Sequence, residues 1–435
     1  MPAADVLIYQ IPLLLRWQGL LHPAPSVLKR LEKLAGFLLV ILLGSLPILT
    51  RPGLALLLIA SGLLWVVWSV ATPAGRINGI TVWLLIILSI AILATGTSPV
   101  PIEATKGLLK LLGYLGVYAL MYKLLKYNPT WWDRLLAGLL SGGLLSSTLA
   151  LRQLYGNTEE LATWADPNSI TTDTIRIYGT LGNPNLLAGY LLPLLPLAAV
   201  ALLRWTGCGS RIFATVTLIL AGAATTLTYS RGGWLGMTAG LTIFVLLLLA
   251  YFTREWRPIW RQLLTLGVLL ISTVILITVV TKFESIHIRI TSLLVGRSDS
   301  SNNFRINVWL AVADMVRDRP WLGIGPGNNA FQSVYPLYQQ PRFDALSAYS
   351  VPLEILVEMG LPGLIACLGL LSNVLGNGLA SLRLNRNEAL AGIACLATIG
   401  GLLMQGITDT IFFRPEVQII GWFAVATLAS RPKKA

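Results

Sequence analysis

The strongest constraint on this chain is a series of about a dozen apolar runs that recur from residue 35 to residue 429. The interior of a lipid bilayer has no water to hydrogen-bond the backbone, so each run can pair its own peptide groups only as a helix. Hydrophobic residues make up 55% of the sequence and charged residues only 12%, which leaves more apolar surface than one soluble core can bury. The sequence therefore predicts an all-α, polytopic membrane protein and excludes a soluble enzyme.

We expect about twelve transmembrane helices in a single integral membrane domain over residues 35–430. Residues 1–34 would form a cytoplasmic N-terminal segment, and residues 431–435 a basic cytoplasmic tail. The fourth run carries Lys106 and Lys110 near its start and the twelfth is short, so these two depart most from the pattern. The runs are residues 35–49, 54–72, 77–98, 107–122, 135–151, 186–203, 212–229, 232–252, 262–281, 353–372, 389–406 and 417–429.

The distribution of charge supports an even number of spans. With the N-terminus inside, twelve spans assign 18 of the 32 basic residues but only 5 of the 19 acidic residues to the cytoplasmic side. The whole net charge of +13 then lies on that side, as the positive-inside rule requires. Insertion topology and contact with membrane lipid account for the pI near 9.9, so the charge requires no nucleic acid.

The cysteines suggest no special chemistry. Cys208 lies in an expected cytoplasmic turn, whereas Cys367 and Cys395 lie within spans. Their spacing gives neither a disulfide framework nor a set of metal ligands, so we interpret them as packing residues. The sequence gives no reason to expect a metal ion or another cofactor.

Two expected external segments are longer than the other connections, and long loops in compact proteins are usually functional. They cover residues 152–185 and the external loop 282–352. Within the second loop, apolar residues at helical spacing predict an amphipathic helix that lies along the outer membrane surface. Its apolar positions are Ile306, Trp309, Leu310, Ala313 and Val316. The glycine-rich loop that follows, residues 320–327, favours positive φ angles and close approach to a ligand or a helix end.

Arg231 is the most informative single residue, because it lies between the seventh and eighth spans on the side that most cationic residues avoid. An isolated arginine at this depth could extend its head group to the lipid surface. The two glycines that follow it would let another backbone pack close beside it. We therefore favour a cavity-lining anion site.

The first long loop ends in a second polar group. Asn183 or Asn185 could cap the helix that begins there, because asparagine accepts from the free N–H groups of a helix start. Alternatively, these amides and Arg176 could hold a polar substrate, since the dipole at a helix N-terminus favours anions.

The order of these elements resembles the O-antigen ligase and polymerase superfamily over about residues 176–365. The matching pieces are residues 179–185, 230–232, Arg305 with Trp309, 320–327 and 353–360. In ligases of this superfamily, two external arginines hold the pyrophosphate of a polyprenyl-linked glycan, and a histidine just before the tenth span acts as base for the acceptor hydroxyl. The resemblance assigns Arg231 and Arg305 to the two arginines. Guanidinium groups suit this task because they are permanently charged and form paired hydrogen bonds to phosphate oxygens.

The expected histidine is missing, and Tyr349 occupies its position. A tyrosine with an ordinary pKa near 10 is a poor base at neutral pH. Of the two histidines in the chain, His22 would be cytoplasmic and His287 lies far along the external loop. The acidic alternatives are Glu358, Glu354 and Asp344.

Residues 345–350 resemble the cyanobacterial branch of the superfamily, whose members are named as inorganic carbon, or bicarbonate, transporters. This resemblance extends over most of the chain and implies a multi-pass protein of the bacterial cytoplasmic (inner) membrane. The charge distribution predicts that both termini lie in the cytoplasm.

Two functions follow as expectations: transport of bicarbonate or another small anion, and transfer of a lipid-linked glycan. A non-catalytic scaffold is a third alternative. Carriers usually place carboxylates deep in the membrane, but Glu358 lies only about one turn into its span and Asp409 near the outer end of the eleventh.

Overall fold

The computed structural model describes residues 24–72, 77–156, 176–282, 297 and 299–431. All regular secondary structure in this part of the chain is helical. Its fifteen α-helices are α1 Pro25–Ser45, α2 Arg51–Val70, α3 Gly79–Gly96, α4 Pro101–Tyr127, α5 Trp131–Arg152, α6 Pro184–Leu191, α7 Leu194–Arg204, α8 Cys208–Leu227, α9 Arg231–Phe252, α10 Pro258–Lys282, α11 Ser300–Asp318, α12 Asn328–Val334, α13 Val351–Ser381, α14 Arg386–Gly406 and α15 Pro415–Ala429. Short 3₁₀ turns are formed by Gln153–Tyr155, Gly179–Leu181, Tyr335–Leu337 and Ile411–Phe413.

Many helix boundaries follow from local sequence. The side chains of Asn78, Asn183, Ser230, Asp299 and Asn385 each accept a hydrogen bond from a backbone N–H in the first turn of the helix that follows. Such caps satisfy donors that have no partner within the helix.

Each of the twelve expected runs falls on helical structure, with residues 186–203 divided between α6 and α7, so the all-α class is confirmed. Nine segments of the described residues are long and apolar enough to cross a membrane: α2, α3, α4, α5 with its 3₁₀ turn, α6 with α7, α8, α9, α13 and α14. The remaining three are not among these segments: α1 begins with several charged residues, α15 has 15 residues, and Pro258–Val274 is the apolar stretch of α10 within the described side chains. The count of twelve spans therefore stays a prediction.

Small residues let the central helices pack closely. Helix α14 is largely buried, and α9 lies along it. A Cβ added to Gly236 would lie 2.7 Å from the carbonyl oxygen of Gly401, and one added to Gly240 would lie 3.1 Å from that of Ala397. This close contact between backbones fixes the start of α9, where Arg231 lies, beside the end of α14.

The connections that were expected on the cytoplasmic side lie together at one end of the bundle, which we call the basic end. The Arg204 Nη2 lies 2.6 Å from the Asp133 Oδ2, and the same guanidinium stacks over the ring of Trp132. The Arg431 Nη1 lies 2.6 Å from the Glu388 Oε2. These pairs connect the starts of α5 and α14 to the ends of α7 and α15.

The opposite end joins connections that were expected outside. The hydroxyl of Ser98 donates to the carbonyl oxygen of Ile324, and the Nε of Arg176 donates to that of Thr228 at 2.9 Å. This arrangement agrees with helices that alternate in direction. Which end faces the cytoplasm stays a prediction.

Helix α13 is interrupted at Gly360, which has φ +65° and ψ −167°. The glycine-rich loop packs into this break, because the N–H groups of Ile324 and Gly325 donate to the carbonyl oxygens of Val357 and Glu358 at 2.9 and 3.0 Å. Carbonyl groups that the interruption leaves without helical partners are thus satisfied by the loop.

The same loop also contacts α4. A Cβ on Gly327 would lie 2.6 Å from the Cα of Gly107, and Gly327 has φ +102°. Close approach to helices therefore explains the glycines. The sequence predicted that this loop approaches either a ligand or a helix end, and the described contacts support approach to helices.

The external loop contains a helix, α11, at the predicted position, and a face other than the predicted apolar face packs against the rest of the protein. Val308, Ala311, Val312 and Met315 are buried, whereas Leu310 is 48% exposed. These side chains pack against a small core formed mostly within the loop itself. That core, which we call the loop core, comprises Val308, Ala311, Val312, Met315, Ile324, Phe331, Val334, Tyr335, Ala345, Ala348 and Val357. Contact of α11 with the membrane surface stays a prediction.

Candidate anion site

A cavity of about 280 Å³ lies at the opposite end, beneath the N-terminal half of α11. Four separate parts of the chain form it: the segment that leads into α6, the start of α9, the start of α11 and the segment after α14. The residues that line it are Arg176, Asn185, Tyr229, Ser230, Arg231, Gly232, Leu235, Ser301, Asn302, Arg305, Ile306, Trp309, Thr408 and Asp409.

Three helices begin at this cavity. Asn185 belongs to the first turn of α6, Arg231 and Gly232 to that of α9, and Ser301 and Asn302 to that of α11. The positive ends of helix dipoles favour anions, and the effect is concentrated in the first turn. The backbone therefore adds to the positive potential of the arginine side chains.

Arg176 and Asn185 form one wall. The Nη2 of Arg176 donates to the Oδ1 of Asn185 at 2.8 Å, while its Nε caps the end of α8 through the Thr228 carbonyl. The Nδ2 of Asn185 in turn donates to the Oδ2 of Asp409 at 3.2 Å. Arg176 thus lies at the cavity and also orients the two polar side chains beside it.

Arg231 pairs with an acidic residue from the external loop. Its Nη2 lies 3.0 Å from the Oδ1 of Asp299, and the two side chains are 10% and 3% exposed. The same carboxylate oxygen accepts the N–H of Asn302 and so caps α11. The ion pair therefore attaches the start of α11 to the start of α9.

Arg305 differs from the other two arginines in its hydrogen bonding. Its Nε is buried and has no hydrogen-bond partner among the residues that the structure describes, and no ion pair joins it to a described carboxylate. Burial lowers the pKa of Arg305, while Asp409 raises it and Arg231 lowers it further. Guanidinium groups stay charged at neutral pH even so, which leaves a buried donor without an acceptor among the described residues.

Tyr349 lies near the site but does not line the cavity. Its ring contacts Phe304 edge-on with 5.3 Å between centroids, and its backbone has φ +49°. The Nε1 of Trp309 holds the same segment through the Ala348 carbonyl oxygen at 3.1 Å. Burial raises the pKa of Tyr349, Asp409 raises it further, and Arg305 opposes both. The hydroxyl therefore keeps its proton at neutral pH, which weakens Tyr349 as a base.

The other predicted residues are not brought to the cavity. Asn183 caps α6, since its Oδ1 accepts the N–H groups of Asn185 and Leu186 at 2.8 and 3.2 Å. Glu358 is buried beside the interruption in α13, and Glu354 accepts the N–H of Ala348.

The remaining alternatives for a base are separate from the site. Asp344 is exposed and does not line the cavity. His22 and His287 lie outside the described residues.

Sequence reasoning missed the importance of Asp409. Its position near the outer end of the eleventh run argues against a deep ion relay, and the sequence offers no other role for it. In the structure it is 8% exposed and lines the cavity with the three arginines. The available signal was an acidic residue next to a span on the side where the candidate arginines were expected.

Together the fold and the cavity define a multi-pass helical membrane protein with an arginine-lined cavity at one end of its bundle. Residues 216–368 match the family model described as O-antigen ligase. The match covers about a third of the chain and includes Arg231, Arg305, Tyr349 and Glu358, while Arg176, Asn183, Asn185 and Asp409 lie outside it. It supports the superfamily expected from the sequence. The comparison with curated proteins gives no match. The more specific resemblance to bicarbonate transporters is not confirmed.

Proposed function

We propose that this protein transfers or polymerises a glycan carried on a polyprenyl diphosphate at the extracytoplasmic face of the bacterial cytoplasmic membrane. The observation that carries the proposal is that Arg176, Arg231 and Arg305 line one cavity inside or beside the region similar to O-antigen ligases.

The charges suit a diphosphate leaving group. When the bond between a sugar carbon and a diphosphate oxygen breaks, negative charge builds on the diphosphate. Fixed guanidinium groups and helix starts stabilise that charge without having to reorganise. Arg305 is the strongest candidate for direct contact, because its buried Nε lacks a described protein partner and phosphate oxygens would supply one.

The place of the cavity also fits a lipid-linked substrate. It opens at the starts of α6, α9 and α11 rather than halfway along the spans, so a diphosphate would lie near the depth of lipid head groups while its polyprenyl chain stays in the bilayer. Carriers generally bind their substrate near the membrane midplane between broken helices. Transport of bicarbonate therefore has less support, although the arginines would also attract a small anion.

The first test measures binding of a bare polyprenyl diphosphate to the purified full chain in detergent. We expect Arg305→Ala to weaken binding by at least about tenfold, since charged hydrogen bonds contribute roughly 1.5–3 kcal/mol. Arg317→Ala is a matched control on the same helix, because Arg317 is exposed and pairs only locally with Asp314. Equal binding by wild type and Arg305→Ala would contradict the proposal.

The second test uses cells. A deletion strain should accumulate the lipid-linked glycan and lose surface polysaccharide, and the wild-type chain should restore it while Arg305→Ala should not. Unchanged polysaccharide in the deletion strain, together with bicarbonate uptake that depends on Arg231, would favour the transport function instead.

A further inference from the structure

We propose that Asp409 is the catalytic base that takes the proton from the acceptor hydroxyl, a role for which related ligases are expected to use a histidine. This inference rests on the proposed function and adds to it the residue that activates the acceptor.

The geometry favours Asp409 over the other acids. Among the described residues that line the cavity, Asp409 is the acidic one, and it lies there with the arginines proposed to hold the diphosphate. Glu354 is occupied by the Ala348 N–H, and Glu358 lies at the interruption in α13 beside the glycine-rich loop. Neither carboxylate lines the cavity.

The hydrogen bonds of Asp409 fix its orientation and leave room to accept a proton. Its Oδ1 accepts the N–H of Thr410 at 2.8 Å, and its Oδ2 accepts the Nδ2 of Asn185 at 3.2 Å. A carboxylate has about four lone-pair sites, so two bonds leave further acceptor capacity. The hydrogen bond from Asn185 to Asp409 resembles other catalytic sites, in which a second polar side chain orients the base.

The charged and titratable groups around Asp409 come from every neighbouring element. Arg305 faces it from α11, Arg176 from the segment before α6, and Tyr349 from the segment before α13, while Arg231 lies across the same cavity on α9. Burial raises the pKa of Asp409, and Arg305 and Arg176 oppose this shift. Burial makes the carboxylate a stronger base than an exposed aspartate, and the arginines still favour its charged form at neutral pH.

The step balances in atoms and charge. The Oδ2 of Asp409 accepts the proton of an acceptor hydroxyl, and the hydroxyl oxygen forms a bond to the anomeric carbon of the donor sugar. The bond between that carbon and the diphosphate oxygen breaks, and its electron pair stays on the diphosphate beside Arg231 and Arg305. Release of the proton from Asp409 to water restores the site.

The experiment uses proteoliposomes of the full chain made with lipid extracted from the deletion strain, which supplies the accumulated donor and its natural acceptor. Transfer is followed as loss of the lipid-linked glycan between about pH 4 and pH 8. We expect Asp409→Asn to slow transfer by about 10²–10⁴-fold. Asp409→Glu should retain part of the rate and a rise with pH, because it keeps a carboxylate. Binding of bare polyprenyl diphosphate should stay within a few-fold of wild type in both variants.

The outcomes separate this inference from the proposed function. Wild-type transfer rates in Asp409→Asn would overturn the role of Asp409 and leave the function intact. A parallel loss of binding and transfer in Asp409→Asn would also overturn it, because Asp409 would then only position the arginines. A wild-type chain that neither binds polyprenyl diphosphate nor consumes the glycan would instead refute the proposed function.

Discussion

Arg231 and Asp299 form an ion pair with 3.0 Å between the Nη2 and the Oδ1, and both side chains are nearly buried. The pair joins the start of a transmembrane helix to the start of the loop helix α11, which carries Arg305. Because Asp299 also caps α11, one carboxylate couples the stability of the loop to the position of two of the three site arginines.

Removing this carboxylate should therefore destabilise the protein. We expect Asp299→Ala to lower the free energy of unfolding by about 2 kcal/mol, since it removes both the cap and a buried partner of Arg231. Asp299→Asn keeps a capping oxygen and should cost less. Thermal unfolding in detergent measures both, with Asp314→Ala on the same helix as the control, because its exposed pair with Arg317 should contribute little. Equal stability of Asp299→Ala and Asp314→Ala would contradict the coupling.

The interruption in α13 should tolerate only glycine at its centre. A Cβ on Gly360 would lie 2.2 Å from the Trp321 carbonyl oxygen, and its φ of +65° disfavours other residues. Gly360→Ala should therefore reduce the yield of monodisperse protein and lower its melting temperature by several degrees. Gly376→Ala in the same helix is a matched control, because no atom lies within 4 Å of the added Cβ. A similar loss in both variants would point to a general intolerance of α13.

Tyr349 should be dispensable as a base. Its raised pKa means that the folded state holds the phenolic proton more tightly than the unfolded state does, so the stability it contributes is present at neutral pH and is lost only above about pH 10. We expect Tyr349→Phe to transfer glycan within about tenfold of wild type near pH 7. Above about pH 10, its free energy of unfolding should fall less steeply with pH than that of wild type. A loss of transfer as large as that expected for Asp409→Asn would assign the proton transfer to Tyr349.

Substitutions of the two asparagines at the start of α6 should have different effects. Asn183→Ala removes a cap and should lower stability by about 1 kcal/mol while binding of polyprenyl diphosphate persists. Asn185→Ala removes a partner of Arg176 and of Asp409, so its main effect should be on binding and transfer. Thermal unfolding and binding, measured on both variants, check this contrast. Equal changes in stability and in binding in the two variants would show that both asparagines contribute only to the folding of α6.

The orientation in the membrane can be tested with native Cys208, which is exposed at the basic end, whereas Cys395 is buried. A membrane-impermeant maleimide should label Cys208 only after cells are permeabilised. Leu337→Cys, made together with Cys208→Ser, should label in intact cells, because Leu337 is 80% exposed on the external loop. The reverse pattern would invert the topology and place the cavity in the cytoplasm.

The sequence by itself determined the helices and most of the candidate arginines. A peptide chain in lipid must satisfy its backbone locally, so apolar runs, caps and prolines fix where helices begin and end without knowledge of the partners. Arg231, Arg176 and Asn185 were also found from sequence, because a polar residue beside a span is conspicuous against an apolar background. Arg305 came from the resemblance to the superfamily, and all four residues line the cavity.

Only the tertiary structure decided which polar groups meet. Asn185 and Asp409 are 224 positions apart, and their hydrogen bond depends on how α6 packs against the end of α14. The face of α11 that packs against the protein likewise depends on the loop core rather than on the periodicity of the helix. Glu358 was drawn into the candidate list by its position in sequence, yet the interruption at Gly360 directs that part of α13 toward the glycine-rich loop. Long-range packing sets these relations, and local sequence does not encode them.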